Sequence, residues 1–181
     1  MKSRRNILYQ PSVRDGGIKM KHRNRGYFGI GVYHPKTVEN IGTLWRSAYH
    51  FGASFIFTIG RRYKKQASDT PHTTKHIPLL HFLTYDDFYK HIPYGARVVC
   101  VEQHQRAQLL PEAHHPQQAI YLLGAEDYGL PEKIMSGNQI IEIPTGVKHS
   151  LNVAVAGSLV MYDRFTRAGY QNTYKETSNA N

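Results

Sequence analysis

Cysteine, acidic residues and long apolar runs are what this chain has little of. Cys100 stands alone, which excludes an intrachain disulfide, and no Cys/His spacing resembles a zinc site, so no metal is expected. The longest apolar stretches, such as "ASFIFTIG" and "AIYLLG", are far too short to span a bilayer, so no membrane role is expected either. The opening "MKSRRNILYQ" is basic but lacks the apolar h-region of a secretory signal. These absences make the cytoplasm the expected compartment. With 181 residues, 20.7 kDa and 40% hydrophobic content, the chain is long enough for one domain with a proper core.

Acid is scarce: 13 Asp and Glu stand against 23 Lys and Arg, a net charge of +10. The excess is unevenly placed. Residues 1–25 hold Lys2, Arg4, Arg5, Arg14, Lys19, Lys21, Arg23 and Arg25 against Asp15 alone, a net +7, which leaves +3 for the other 156 residues. A basic arm on a nearly neutral body suggests a polyanionic partner, nucleic acid first. A solvated tail with no partner is the plainer alternative. A membrane surface fits less well, because the arm has no amphipathic apolar face.

After the arm, "YFGIGVY" (27–33) reads as a strand. "VENIGTLWRSAYHF" (38–51) carries apolar residues at Ile41, Leu44, Trp45, Ala48 and Tyr49, the spacing of one helical face, and Gly52 stops it. "ASFIFTI" (53–59) and "HIPLLHF" (76–82) read as strands, with Thr84 and Asp87 resembling a capping box for the helix "YDDFYKHI". "ARVVCVE" (96–102), "QAIYLLG" (118–124) and "QIIEI" (139–143) are compact strands of the buried type, and a last helix runs from about Leu151 to Arg167. Strands apolar on both faces, alternating with helices, predict an α/β fold: a mostly parallel sheet with helices on both faces. Residues 1–25 are expected to be a flexible arm, 26–169 one domain and 170–181 a polar tail.

In open parallel sheets, ligands bind beyond the carboxyl ends of the strands. Three strand ends here each supply a glycine-containing turn and polar side chains. "TVENIGTLWR" offers Asn40 and Arg46, both away from the Ile41/Leu44/Ala48 stripe. "GAEDYGLP" offers Glu126, and "PTGVKHSLN" offers Ser150 and Asn152. Each also has a purely structural reading: Asn40 capping a helix, Glu126 facing solvent, Ser150 as N-cap of the last helix. Other chemistries find less support. "GIGVYH" lies inside a strand and makes a poor dinucleotide fingerprint, which counts against an oxidoreductase, and no P-loop occurs. "KHS" sets His149 beside Ser150, but no G-x-S-x-G elbow supports a hydrolase.

In this order the three clusters resemble the SpoU (TrmH-like) group of the SPOUT RNA methyltransferases. "NIGTLWRSAYHFGA" looks like its first motif, "LLGAEDYGLP" its second and "IPTGVKHSLNVAVAGSLVMYD" its third, the likeness covering about residues 27–168. Ala125 stands where Asn is common and Thr145 where Met is common, and neither removes a functional side chain. The resemblance implies methylation of a ribose 2′-hydroxyl in tRNA or rRNA with S-adenosylmethionine as cofactor. It also implies a deep trefoil knot near the C-terminus and a homodimer packed through the first and last helices. The small residues of the last helix would then let helices of two subunits approach closely.

The same resemblance places Arg46 at the reacting hydroxyl, as base or as a cation that stabilises the developing alkoxide. It gives Asn40 and Glu126 the orientation of Arg46 or the substrate, and Ser150 and Asn152 a hold on the substrate. The donor is expected against backbone near Glu102, Leu123, Gly124, Ile143 and Leu151. The sequence shows no sizeable extra RNA-binding domain, which favours tRNA over a large rRNA site. A catalytically silent RNA-binding protein on the same fold is the alternative.

Overall fold

The computed structural model describes residues 26–61, 63 and 71–168. The chain runs β1 (Tyr27–Tyr33), α1 (Val38–Phe51), β2 (Phe55–Ile59), α2 (Pro71–His76), β3 (Leu79–Phe82) and α3 (Tyr85–Lys90). It continues through β4 (Arg97–Val101), β5 (Gln108–Leu109), β6 (Gln118–Leu123), α4 (Glu132–Met135), β7 (Gln139–Glu142) and α5 (Val153–Arg167). The expected arm and tail lie outside the described residues.

All seven strands join one sheet in the order β3-β2-β1-β6-β4-β7-β5, and every pairing is parallel. The register sets the carboxyl ends level. Val32 pairs Leu123, Val101 pairs Leu123, and Ile141 pairs Val101. The loops that leave β1, β6, β4 and β7 therefore start side by side. From β1 the chain winds outward through β2 and β3, whereas the later strands lie on the other side. The strand order reverses between β1 and β6, the switch point where open sheets form a crevice.

Burial explains the strand sequences. In β4, Val99 and Val101 join the core cluster under α1 and α5, while Val98 and Cys100 join the cluster under α3 and α4. Alternate side chains thus serve opposite, covered faces. Helix α1 buries Ile41, Leu44, Trp45 and Ala48, and the Trp45 indole donates to the Ile77 carbonyl at 3.0 Å. Helix α5 lies against α1 because Gly157 has no side chain: a Cβ there would stand 2.4 Å from a Leu44 methyl. The Ser158 hydroxyl, 2.8 Å from that of Ser47, ties the two helices further. So the small residues that the sequence suggested for contact between subunits serve packing within one chain.

Several boundaries differ from the sequence reading, each for a local reason. His76 ends a helix and the strand begins only at Leu79; Pro78, which has no N–H to give a ladder, separates them. The two-residue β5 and the four-residue α4 are too short to show periodicity in sequence. The cap of α3 is as expected on one side, Thr84 accepting from the Asp87 N–H at 3.1 Å. Its return bond reaches Leu83, whose N–H donates to the Asp87 carboxylate at 3.2 Å.

The end of α5 is fastened by a partly buried polar network. His115 lies 2.6 Å from the Tyr121 hydroxyl through Nδ1 and 2.8 Å from the Asp163 carboxylate through Nε2. Arg164 donates to the carbonyls of Pro116 and Gln117, at 2.7 and 2.9 Å. Arg167 bonds Asp163 at 2.9 Å. Burial pushes the His115 pKa down, and Arg164 and Arg167 push the same way against the pull of Asp163. A neutral ring fits this geometry, donating from Nε2 to Asp163 and accepting at Nδ1 from Tyr121. A histidine that resists protonation only when folded costs stability once pH falls below its unfolded value of about 6.5. Thermal unfolding should therefore show Tm falling as pH drops from about 7 to 5, and His115→Gln should flatten that slope. An unchanged slope in the variant would remove His115 from the account.

Candidate functional site

A cavity of about 370 Å³ opens where the carboxyl ends of β1, β4, β6 and β7 meet. That size suits a small-molecule ligand. Its apolar lining comes from Val101, Leu123, Ile143, Leu151 and Ala156, and much of its polar lining from Thr37, Asn40, Glu126, Ser150 and Asn152.

Glu126 organises the polar wall. It leaves β6 in a tight turn, closed by paired backbone bonds between Ala125 and Gly129 at 2.9 and 3.2 Å. Its carboxylate accepts from the Thr37 hydroxyl at 2.7 Å, the Thr37 N–H at 3.3 Å and the Asn40 amide at 2.9 Å. Thr37 is the N-cap of α1 but makes no side-chain cap bond. A carboxylate instead sits at the positive end of this helix. Burial raises the Glu126 pKa, but the hydrogen bonds from Thr37 and Asn40, with Lys36 nearby, outweigh it and the carboxyl lies below its ordinary value. It is ionised at neutral pH.

The chain of bonds continues. Asn152 donates its amide N–H to Asn40 Oδ1 at 2.9 Å, and its own Oδ1 accepts from Ala154 and Val155 N–H at 2.9 and 3.3 Å. Asn152, not Ser150, is thus the N-cap of α5, and Ser150 and Leu151 precede the helix. A second carboxylate holds the turn from below. Glu102 accepts from the Leu130 N–H at 2.9 Å and the Gln103 N–H at 3.0 Å. A Cβ at Gly124 would fall 2.3 Å from its Oε2, so a side chain at 124 would push the carboxylate aside.

Asn40, Glu126 and Asn152 are therefore joined directly, and Ser150 lines the same cavity. Glu102, Leu123, Gly124, Ile143 and Leu151 line it as well. Arg46 does not. It is exposed on α1, about 9 Å along the helix from Asn40 by rise alone, and is not among the lining residues. Sequence reasoning missed Thr37 and the side-chain role of Glu102. A hydroxyl residue just ahead of a helix was the signal for Thr37; nothing local marked Glu102. Cys100, buried with its thiol pushed up to about 12 by burial, offers no nucleophile. Among the described residues no His/Cys/Asp/Glu group could hold a metal ion, and no described helix is long and apolar enough to cross a membrane.

A cavity of mixed polarity at the switch point of a parallel sheet defines an α/β protein whose ligand site lies at the carboxyl ends of its strands. Comparison with protein families narrows this. The SpoU rRNA Methylase family model matches residues 28–162, and the chain belongs to that family. Among solved structures, one described for the 2-OH methylation of C/U34 on tRNA is 26% identical, covering 79% of this chain and 97% of that one, with a TM-score of 0.64. The SpoU methyltransferase AviRb from Streptomyces viridochromogenes, solved in complex with AdoMet, is 20% identical over 81% of this chain and 60% of its own, with a TM-score of 0.66. The A. aeolicus TrmH/SpoU tRNA modifying enzyme is 17% identical over 87% and 79%, with a TM-score of 0.68. The last two establish likeness of fold alone. Comparison with curated proteins gave no match.

The depressed Glu126 carboxyl gives a pH test. A carboxylate whose folded pKa is lowered stabilises fully above its unfolded value of about 4.3, and that contribution is lost as pH falls through the folded value. Glu126→Gln should lower Tm by a few degrees at neutral pH, with the gap to wild type closing in acid. A gap that stays constant with pH would show that the charge is not what holds the two loops.

Proposed function

We propose that the protein transfers a methyl group from S-adenosylmethionine to a ribose 2′-hydroxyl of RNA. The observation that carries this is the Glu126–Asn40–Asn152 chain in a cavity that Val101, Leu123, Ile143 and Leu151 also line, within residues that belong to an RNA methylase family. Adenine and ribose suit the wall of Val101, Leu123, Ile143 and Leu151, and the Gly124 backbone allows close approach. When bound, the cofactor supplies an electrophilic methyl group on a sulfonium, whose thioether leaves uncharged. The chain's own task is then alignment and relief of the hydroxyl proton. Asn40 and Asn152 orient one another, and Ser150 offers the substrate a further hydroxyl. Arg46 meets the reacting nucleotide from outside the cavity, where a guanidinium suits a phosphate or a developing alkoxide. The threaded trefoil of the family is part of the same reading.

The RNA is a tRNA on this reading, supported by the neighbour that acts on C/U34, and the protein works where tRNA is found, in the cytoplasm. Transfer of tritiated methyl groups to bulk tRNA, with calorimetry of donor binding, tests the reaction. Arg46→Ala should lower the rate by about 10²–10⁴ and leave donor affinity within about twofold, because Arg46 stands outside the cavity. Retention of more than half the activity would reject its role.

The protein is also proposed to be a homodimer. Helix α5 buries one side but exposes Val155 (48%), Leu159 (39%) and Tyr162 (55%), which share one face at helical spacing. Sedimentation at micromolar concentration should give a dimer, and Leu159→Asp a monomer. A monomeric wild type would end this proposal.

A further inference from the structure

From the cavity outward, the turns after β1 and β6 are fastened to each other three times in succession. Glu126 accepts from Thr37, Asp127 pairs Lys36 at 2.9 Å, and the Tyr128 ring stands 6.4 Å from that of His34. His34 has φ 45°, the only left-handed backbone of a non-glycine among the described residues. Such a conformation is unfavourable outside glycine and tends to persist where a site requires it. Here it is held firmly. The His34 N–H donates to Ile59 at 2.8 Å, and the ring lies on Gly60, where a Cβ would approach it to 2.4 Å. The Tyr33 ring supports it edge-on at 4.4 Å.

His34 is nonetheless exposed, and Tyr128 is 63% exposed. A fixed, solvent-facing pair of aromatic rings, with nothing described packed over it, is a poor use of apolar surface unless something stacks there. Two cations stand beside it: Lys36, exposed and paired with Asp127 at 2.9 Å, and Arg61, which donates to the Lys36 carbonyl at 2.8 Å. Tyr128 lies two positions from Glu126, at most about 7 Å along the chain.

Resting on the methyl-transfer reading above, we propose that His34 and Tyr128 form a stacking shelf for an unpaired RNA base next to the nucleotide whose ribose is modified. Single-stranded RNA is recognised by splaying bases onto aromatic side chains, with nearby cations on the backbone. Fixing the neighbouring base would set the target ribose at the Glu126–Asn40 wall without contact to the target base. Lys36 and Arg61, both exposed beside the shelf, are the cations available to the intervening phosphates.

The test compares the full chain with Tyr128→Ala, Tyr128→Phe and His34→Ala. Binding of an unstructured oligoribonucleotide containing 2-aminopurine is followed by fluorescence quenching, methyl transfer to bulk tRNA by tritium, and donor affinity by calorimetry. Tyr128→Ala should weaken oligonucleotide binding about tenfold and raise KM for tRNA similarly, the scale of one lost stack. Tyr128→Phe should keep both, and donor affinity should not move in any variant. Unchanged binding and quenching in Tyr128→Ala would overturn the shelf while leaving the methyl-transfer reading standing. An equal loss in Tyr128→Phe would overturn stacking in favour of the hydroxyl. Quenching that depends on Tyr128 without any transfer to tRNA would keep the shelf and reject the reaction.

Discussion

The site depends on one carboxylate. Glu126 is carried by the turn after β6, yet its hydrogen bonds go to Thr37 and Asn40, which follow β1. Without it, the loops leaving two neighbouring strands would be joined only by the exposed Lys36–Asp127 pair and the His34–Tyr128 ring contact. The sheet makes the bridge possible, because Val32 and Leu123 are register partners and their loops depart at the same height. A partly buried carboxylate would be unfavourable alone. Three donors, one of them a backbone N–H at the start of α1, offset its desolvation and keep it ionised.

A second carboxylate supports the first through the backbone. Glu102 holds the Leu130 N–H and packs where Gly124 and Gly129 leave room. The turn of Glu126 is thereby held at both ends, by side chains reaching in from β4 below and out to α1 above. The glycines of "GAEDYGLP" are explained on this side, by the Glu102 carboxylate, as well as by any ligand on the other.

Much of this arrangement was legible in the sequence, and the reasons for the rest are physical. The helical stripe Ile41–Leu44–Trp45–Ala48 and the doubly covered strands have periods that a reader can count, so α1, β1, β4, β6 and β7 stand close to where they were expected. Polar residues at strand ends marked Asn40, Glu126, Ser150 and Asn152 because the core has no need of them there. What could not be read were contacts between loops far apart in the chain: the 89 positions between Thr37 and Glu126, or the 28 between Glu102 and Leu130. The meaning of the small residues in α5 was ambiguous for the same reason. Gly157 shows that a helix approaches closely, and only the fold says that the neighbour is Leu44 of the same chain.

The start of α5 shows why an asparagine, and not the serine two residues earlier, ends the loop. The N-cap must accept from the free N–H groups of the first turn, a task that serine performs as well as asparagine. Here the cap must also donate, because Asn40 has spent its own amide N–H on Glu126 and presents an acceptor. A hydroxyl can donate and accept at once, but only where both partners converge on its single oxygen. The carboxamide of Asn152 separates its acceptor from its donors, so Oδ1 caps the helix while Nδ2 bonds Asn40. One side chain thus starts the helix and finishes the polar wall. Ser150 is released from capping and lines the cavity.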